Sequence, residues 1–300
     1  MIPGALLPSL SKASRGKPCE VTQEMKRHTM LSAEQILEFR ENVYDYFRNH
    51  GRDLPWRKTR DPYGILVSEI MLQQTQVARV IEKYEQFIHA FPAIESVARA
   101  PLRDILEVWQ GLGYNRRALA LKKAAEMVVA HYDGKIPSSI DSLQTLPGIG
   151  STTAHAICAF AFNDPTVFIE TNIRTVFIYH FFRDSRSVRD RELLSLVAQT
   201  LDAENPRIWY HALMDYGAGL KKKHANPSRS SAHYQKQSPF EGSNRQIRGL
   251  ILRALVEKPR IYEGILVEAI PFRAEAVKQN LEHLKKEGLV VKKGKYISIA

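Results

Sequence analysis

The sequence predicts an all-α fold, and three observations carry that prediction. Apolar residues recur at helical spacing through most of the chain, and strand-like alternation is almost absent before the last dozen residues. Glycine, proline and capping residues cut the helical stretches short, as in a domain of short packed helices. The 300 residues suffice for one mid-sized domain plus a small one, and 44% hydrophobic with 25% charged residues is an ordinary globular mixture.

Residues 1–30 have Pro8 and Lys12 breaking their only apolar patch, so they read as a disordered tail and not a signal peptide, with Met25 and Met30 as alternative starts. Ser32 and Gln35 form a capping-box pattern, and Ile36, Phe39, Val43, Tyr46 and Phe47 follow on one helical face until Gly51. Arg52–Pro62 is an irregular basic loop, after which a helical pattern runs from Tyr63 to His89. Further helical stretches are Leu102–Trp109, Asn115–Tyr132, Ile140–Thr145, Ser151–Phe162, Asn172–Phe182, Asp190–Leu201 and Arg207–Tyr216. Just before the Ser151 stretch, Gly148 and Gly150 bracket Ile149, and Ser151, Thr152 and Thr153 open a run of small residues reaching Ala161. A glycine turn that leads into a helix aims free N–H groups outward, which suits a phosphate.

Composition shifts after Gly217. Lys221–Phe240 has five Lys or Arg and no acid, and it reads either as a flexible linker or as a basic loop on a DNA backbone. In the second reading Lys221, Lys222, Arg229, His233 and Lys236 face phosphate. Helical patterns at Arg245–Glu257, Glu263–Ile270 and Arg273–Glu287 precede a β-hairpin over Val290–Ile299. Three helices and a basic hairpin resemble a winged helix-turn-helix, a module that docks on DNA or on protein. The expected organisation is therefore a tail over 1–30, a main domain over 31–220, a basic loop over 221–240 and a winged helix over 241–300.

Lys and Arg total 43 against 32 Asp and Glu, a formal charge of +11. This favours a polyanion partner, although a basic protein without nucleic acid fits the charge equally. Cys19 and Cys158 are the only cysteines, too few for a disulfide framework or a four-cysteine cluster. No apolar run approaches the ~20 residues of a membrane span, and a cytoplasmic, nucleoid-associated monomer is expected.

Three blocks carry a resemblance. Leu146-Pro147-Gly148-Ile149-Gly150 leads into a small-residue helix with an acid and Asn beyond it. Leu54-Pro55-Trp56-Arg57 precedes Ser68–Val77, which contains Leu72–Gln76 (LQQTQ), and Trp109–Tyr114 reads WQGLGY. Over roughly Leu31 to Ala218 the chain resembles the helix-hairpin-helix (HhH-GPD) DNA glycosylases, in their adenine-removing, MutY-type branch. The resemblance implies a two-lobed all-α glycosylase domain acting on double-stranded DNA with a mispaired or damaged base. It implies Glu69 as the acid that protonates the leaving base and Glu170 as the anion that stabilises the sugar cation, with Asn172 beside it. Gln73, Gln74 and Tyr114 match residues that fill the space in the duplex, and Trp56 with Arg57 would line the base pocket. Backbone amides of Gly148, Ile149 and Gly150 would meet a DNA phosphate, with a shared monovalent cation as in related hairpins.

Base removal needs an acid for the leaving base and a negative group for an oxocarbenium-like sugar, the two-carboxylate logic of glycoside hydrolysis. Glu69 stands among Val67, Ile70, Met71 and Leu72, where burial raises a carboxyl pKa. The plainer alternatives are a salt-bridged helix Glu69, a helix-capping Asn172, and Tyr114 and Trp56 as core aromatics. The family has Asp where this chain has Glu170, usually followed by Gly where this chain has Thr171. The extra methylene moves the carboxylate by about 1 Å. An active enzyme, a changed substrate and a weakened binder all remain open. Thr152 stands where glycosylase-lyases place a Schiff-base lysine, which points to a monofunctional enzyme that leaves an abasic site. The family's four cluster cysteines are missing and nothing after Phe240 resembles its Nudix-like domain, so no iron–sulfur cluster and no metal are expected. The reading is a monofunctional adenine glycosylase acting opposite 8-oxoguanine or guanine. A mismatch-specific thymine or uracil glycosylase and a non-catalytic damage-binding protein are the rivals.

Overall fold

Ser32 caps the first helix, α1 (Ala33–His50). Its hydroxyl accepts the Gln35 amide at 3.2 Å while Gln35 Oε1 accepts the Ser32 amide at 2.8 Å. This opens the computed structural model of the protein, which describes residues 30–300; the tail expected over 1–30 lies, but for Met30, outside them. Asp61 caps α2 (Pro62–Leu72) through the amides of Tyr63 and Gly64, with Pro62 in the first helical position. Then follow α3 (Val77–Ala90), α4 (Ile94–Arg99), α5 (Leu102–Trp109), α6 (Arg116–His131), α7 (Ile140–Thr145) and α8 (Ser151–Ile157), which ends in a π-helical turn over Cys158–Phe162. The rest of the main domain is α9 (Thr171–Phe181), α10 (Asp190–Thr200) and α11 (Pro206–Lys223).

The fold is all-α with one small sheet, and its apolar side chains form two cores. One gathers α2 to α8 around Phe87, Met71 and Trp109. The other returns α1 to α9–α11, packing Phe39 and Val43 against Phe177, Trp209 and Tyr210. Two lobes result, with the chain crossing between them after α1 and again near α8.

Residues 244–300 form α12 (Asn244–Glu257), β1 (Ile261–Tyr262), α13 (Glu263–Ala269), α14 (Ala274–Lys286), β2 (Val290–Lys293) and β3 (Tyr296–Ile299). The strands make an antiparallel sheet in the order β1-β3-β2, pairing Val290 with Ile299 and Ile261 with Ile297. The apolar interior of this unit is continuous with that of the first lobe. Arg103 of α5 clamps it there by donating twice to Val256 O, at 3.0 and 2.6 Å.

The sequence reading places neither α4 nor β1, and two of the elements it does place differ from it. The Tyr63–His89 pattern is not one helix but two, broken over Gln73–Gln76, with Gln74 at φ 54°. Arg117 of α6 is the cause. Its guanidinium donates to the carbonyls of Ile70, Met71 and Gln73 at 2.9, 2.7 and 2.6 Å, groups that a continued helix would have occupied. It also holds Thr75 Oγ1 and the carbonyls of Leu112 and Gly113. Secondly, α11 continues to Lys223, so Lys221–Lys223 are helical. Glycine weakens a helix, but Gly217 lets this one press on the α9 backbone: a Cβ there would lie 2.2 Å from Asn172 O.

Arg117 is buried, and no other side chain can serve so many acceptors at once. Arg117→Lys is expected to lower the unfolding free energy by about 2–4 kcal/mol because several buried carbonyls lose their donor. Chemical denaturation of both proteins measures the difference.

Candidate active site

The two lobes leave a cavity of about 640 Å³ between them, and both carboxylates singled out above line it. Glu69 projects from the last turns of α2, with its neighbours Ser68 and Ile70 fully buried. No described side chain hydrogen-bonds its carboxyl. Burial, then repulsion from Glu170, pushes its pKa up to about 8. The group is a neutral acid at neutral pH.

Glu170 has the opposite surroundings. It caps α9, its Oε1 accepting the amides of Asn172 at 2.7 Å and Ile173 at 3.0 Å. Asn172 Nδ2 adds a donor to Oε2 at 3.3 Å. A helix N-terminus and three N–H donors fix how this carboxylate points. Asn172 thus sits one residue inside the helix and serves the acid directly. Its amide oxygen in turn accepts from Lys221 Nζ at 2.9 Å.

Two arginines that line the cavity, Arg52 and Arg57, share one buried carboxylate behind it, Asp215. Arg57 forms two hydrogen bonds of 2.8 Å to Asp215, which also accepts from Arg52 N and Nε. Burial works against the Asp215 anion, but the Arg57 hydrogen bond and charge hold it below the usual carboxyl range. His211 stacks on Phe160 at 4.6 Å, and burial with the charges of Arg57 and Arg207 keeps its ring neutral. Trp56 both borders the cavity and packs edge-on against Tyr84 in the core. Gln235, Lys236 and Gln237, from the stretch beyond α11, form part of the wall.

Gln73, Gln74 and Thr152 also line this cavity. Gln73 Nε2 spans to the hairpin, donating to Gly148 O at 3.1 Å and Thr153 Oγ1 at 3.2 Å. Gly148 needs its φ of 82°, and a Cβ there would meet Ala120 at 2.8 Å. Ile149 differs from the expectation placed on it: its side chain is buried and its amide donates to Leu146 O at 3.1 Å, so a phosphate would find the amides of Gly148 and Gly150 instead. Gly150 has an ordinary φ of −87° and nothing within 4 Å of a Cβ.

Tyr114 lies outside the first cavity and borders a second, of about 650 Å³, that shares Gln74–Gln76 and Gln237 with it. Neither a core residue nor a free wedge, it is half-buried at φ 47° with its ring between Arg117 and Arg245. Its hydroxyl accepts from Arg245 Nη1 at 3.1 Å and from Gln237 Nε2. Of the five residues expected on phosphate in the 221–240 stretch, Lys222, Arg229, His233 and Lys236 are exposed, whereas Lys221 is half-buried against Asn172.

Sequence reasoning passed over Asp215, His211 and Arg117, and it set Lys221 on a DNA phosphate and not on Asn172. Asp215 had a signal, a lone acid within the apolar helix face of Trp209, Tyr210 and Leu213. Nothing in the sequence marked Lys221 for a contact inside the protein, since it opens a triple-lysine run. Among the described residues no group of three His, Cys, Asp or Glu is placed to hold a metal ion, and no helix is long and apolar enough to cross a membrane.

Residues 67–199 match the HhH-GPD superfamily of base excision DNA repair proteins. An adenine DNA glycosylase of Mycobacterium tuberculosis is 32% identical over 234 residues, 71% of this chain and 77% of that protein. One from Buchnera aphidicola is 37% identical over 198 residues, 64% of this chain and 55% of its own length. One from Mus musculus is 33% identical over 252 residues, 80% and 48% respectively. The chain thus spans about half the length of the latter two relatives. A thermostable thymine-DNA glycosylase superposes with a TM-score of 0.56 at 25% identity, over 67% of this chain and 97% of that one. Endonuclease III in a non-covalent DNA complex shares the fold, with a TM-score of 0.53 at 21% identity over 70% of this chain and 91% of that one.

Glu69 makes the cavity costly to keep at high pH. Its pKa is raised in the folded state, so its contribution to stability is intact below its usual 4.5 and is lost as pH rises towards about 8. Glu69→Gln is therefore expected to stabilise the protein by on the order of 3 kcal/mol at pH 9, and the gain should vanish near pH 4. Denaturation of the two proteins across this range checks both sign and window.

Proposed function

We propose that this chain, which belongs to the HhH-GPD superfamily and within it to the adenine DNA glycosylases, hydrolyses the N-glycosidic bond of an adenine mispaired with 8-oxoguanine or guanine in double-stranded DNA. The observation that carries the proposal is the pairing, on a single cavity, of a carboxyl without a hydrogen-bond partner among the described residues and a helix-capping carboxylate with three donors. An adenine extruded from the stack into that cavity meets both. Glu69 gives its proton to the leaving base as the bond to C1′ breaks. The Glu170 carboxylate offsets the positive charge that develops on the sugar. Glu69, now ionised, takes a proton from a water whose oxygen bonds to C1′, and an abasic site is left. In the same reading Trp56, Arg57 and Asp215 shape the base pocket, Gln73, Gln74 and Tyr114 take up the space in the duplex, and Gly148 and Gly150 meet phosphate.

The proposed enzyme carries no iron–sulfur cluster. The stretch where relatives would supply four thiolates is instead closed by Val188 N–H to Ser230 O and Ala232 N–H to Val188 O, both 2.8 Å, and by a 2.5 Å contact between Thr175 and Ser228 hydroxyls. Cys158 is remote from it, its Sγ donating to Ser138 O. We also read the enzyme as lacking β-lyase activity, since Thr152 offers no amine. Lys236 lines the cavity and Lys221 contacts Asn172 on its wall, so borohydride trapping of the product complex is the direct measure, and no covalent adduct is expected.

A second reading has its own support: the superposition on a thymine-DNA glycosylase makes T·G and U·G mispairs the rival substrates. A panel of A·8-oxoguanine, A·G, T·G and U·G duplexes, scored with and without alkali, separates the two. Release from the adenine duplexes is expected, and release from the pyrimidine mispairs alone would refute the proposal. Glu69→Gln should lower the single-turnover rate by at least ~10²-fold while duplex affinity holds. Tight binding with no base release on any duplex would identify a damage-binding protein.

A further inference from the structure

A residue from the far end of α11 enters the contacts that hold Glu170. Lys221 Nζ donates to Asn172 Oδ1 at 2.9 Å, and Asn172 Nδ2 donates to Glu170 Oε2 at 3.3 Å. An ammonium has donors and no acceptor, so Lys221 can face only the oxygen of that amide. This settles which way the amide points and leaves its NH₂ end for the carboxylate. Turned over, the amide would set its oxygen against a carboxylate oxygen and its NH₂ against an ammonium.

The arrangement is built into the packing. Gly217 stands one helical turn before Lys221 and brings α11 directly against the Asn172 backbone. Lys221 is half-buried, whereas Lys222 and Lys223 beside it are exposed. Burial lowers the Lys221 pKa while attraction from Glu170 opposes that shift. The other charges around Glu170 are committed or remote from the amide. Arg174 makes two 2.7 Å hydrogen bonds to Asp190, Arg52 and Arg57 hold Asp215, Lys236 is exposed on the cavity wall, and Glu69 approaches from α2.

We infer that Lys221 is a positioning residue for base release: by locking the Asn172 amide, it holds the Glu170 carboxylate as an oriented anion facing the cavity. The inference rests on the glycosylase reading above. It replaces the expectation that Lys221 meets a DNA phosphate.

The test uses the full chain and two readouts. One is the single-turnover release of adenine, and the other is equilibrium binding to the same duplex with an uncleavable adenosine analogue. Lys221→Met should slow release ~10–100-fold, as expected when a charged hydrogen bond is lost, with affinity changed less than ~threefold. Lys221→Arg, also donor-only, should recover most of the rate, and Lys135→Met, at an exposed lysine outside the 221–240 stretch, should match wild type. In an Asn172→Ala background, Lys221→Met should cost less than ~twofold more, because the two act through one contact. Should Lys221→Met not fold, Lys221→Leu, likewise without a donor, takes its place with the same expectation. A wild-type rate in the Lys221 variant, an additive cycle, or a loss confined to affinity with a shallower salt dependence would overturn the inference and leave the glycosylase reading standing. Failure of the wild-type chain to release any base would remove both.

Discussion

One buried guanidinium decides where this molecule bends. Arg117 draws together the C-terminal end of α2, the Gln73–Thr75 turn and the Leu112–Gly113 turn through hydrogen bonds to six acceptors. The first of these segments carries Glu69, the second carries Gln73 and Gln74, and the third ends at Tyr114. Left to propensity, α2 would run on into α3 and those side chains would be carried round the helix. The left-handed backbone at Gln74 and Tyr114 is the strain that this tie over-determines, and both residues border the cavities.

With the bend in place, electrostatics divides the labour between two acids of similar chemistry. Glu69 is given a largely apolar surround and no hydrogen-bond donor among the described residues, Glu170 a helix N-terminus and three donors. Each environment reinforces the other. An anion at Glu170 helps keep the proton on Glu69, and a neutral Glu69 spares Glu170 a like charge nearby. Glutamate at position 170 is longer than aspartate, and here the extra reach is taken up in capping α9.

Local features were legible and remote ones were not. The capping box at Ser32, the Asp61-Pro62 start of α2 and the hydrophobic faces of α1 and α12 depend on neighbours in sequence, so helical spacing discloses them. The break at Gln73 depends on an arginine 44 positions away, and no local pattern announces it. Glu69 and Glu170 drew notice through motif resemblance; their contrasting surroundings come from packing of elements far apart in the chain. The lengthened α11 shows the same limit, since two glycines weaken a helix on propensity yet allow the close approach that stabilises it.

Gly150 is the one hairpin residue whose lack of a side chain serves nothing inside the protein. Its backbone angles suit any amino acid and open space surrounds the missing Cβ. Under the proposed binding of DNA phosphate, the use for glycine there lies outside the folded chain. The site is accordingly a gauge of selection: descendants that abandon the external ligand are free to drift at this codon and still fold, while Gly148, wedged against Ala120, stays fixed for as long as the hairpin exists.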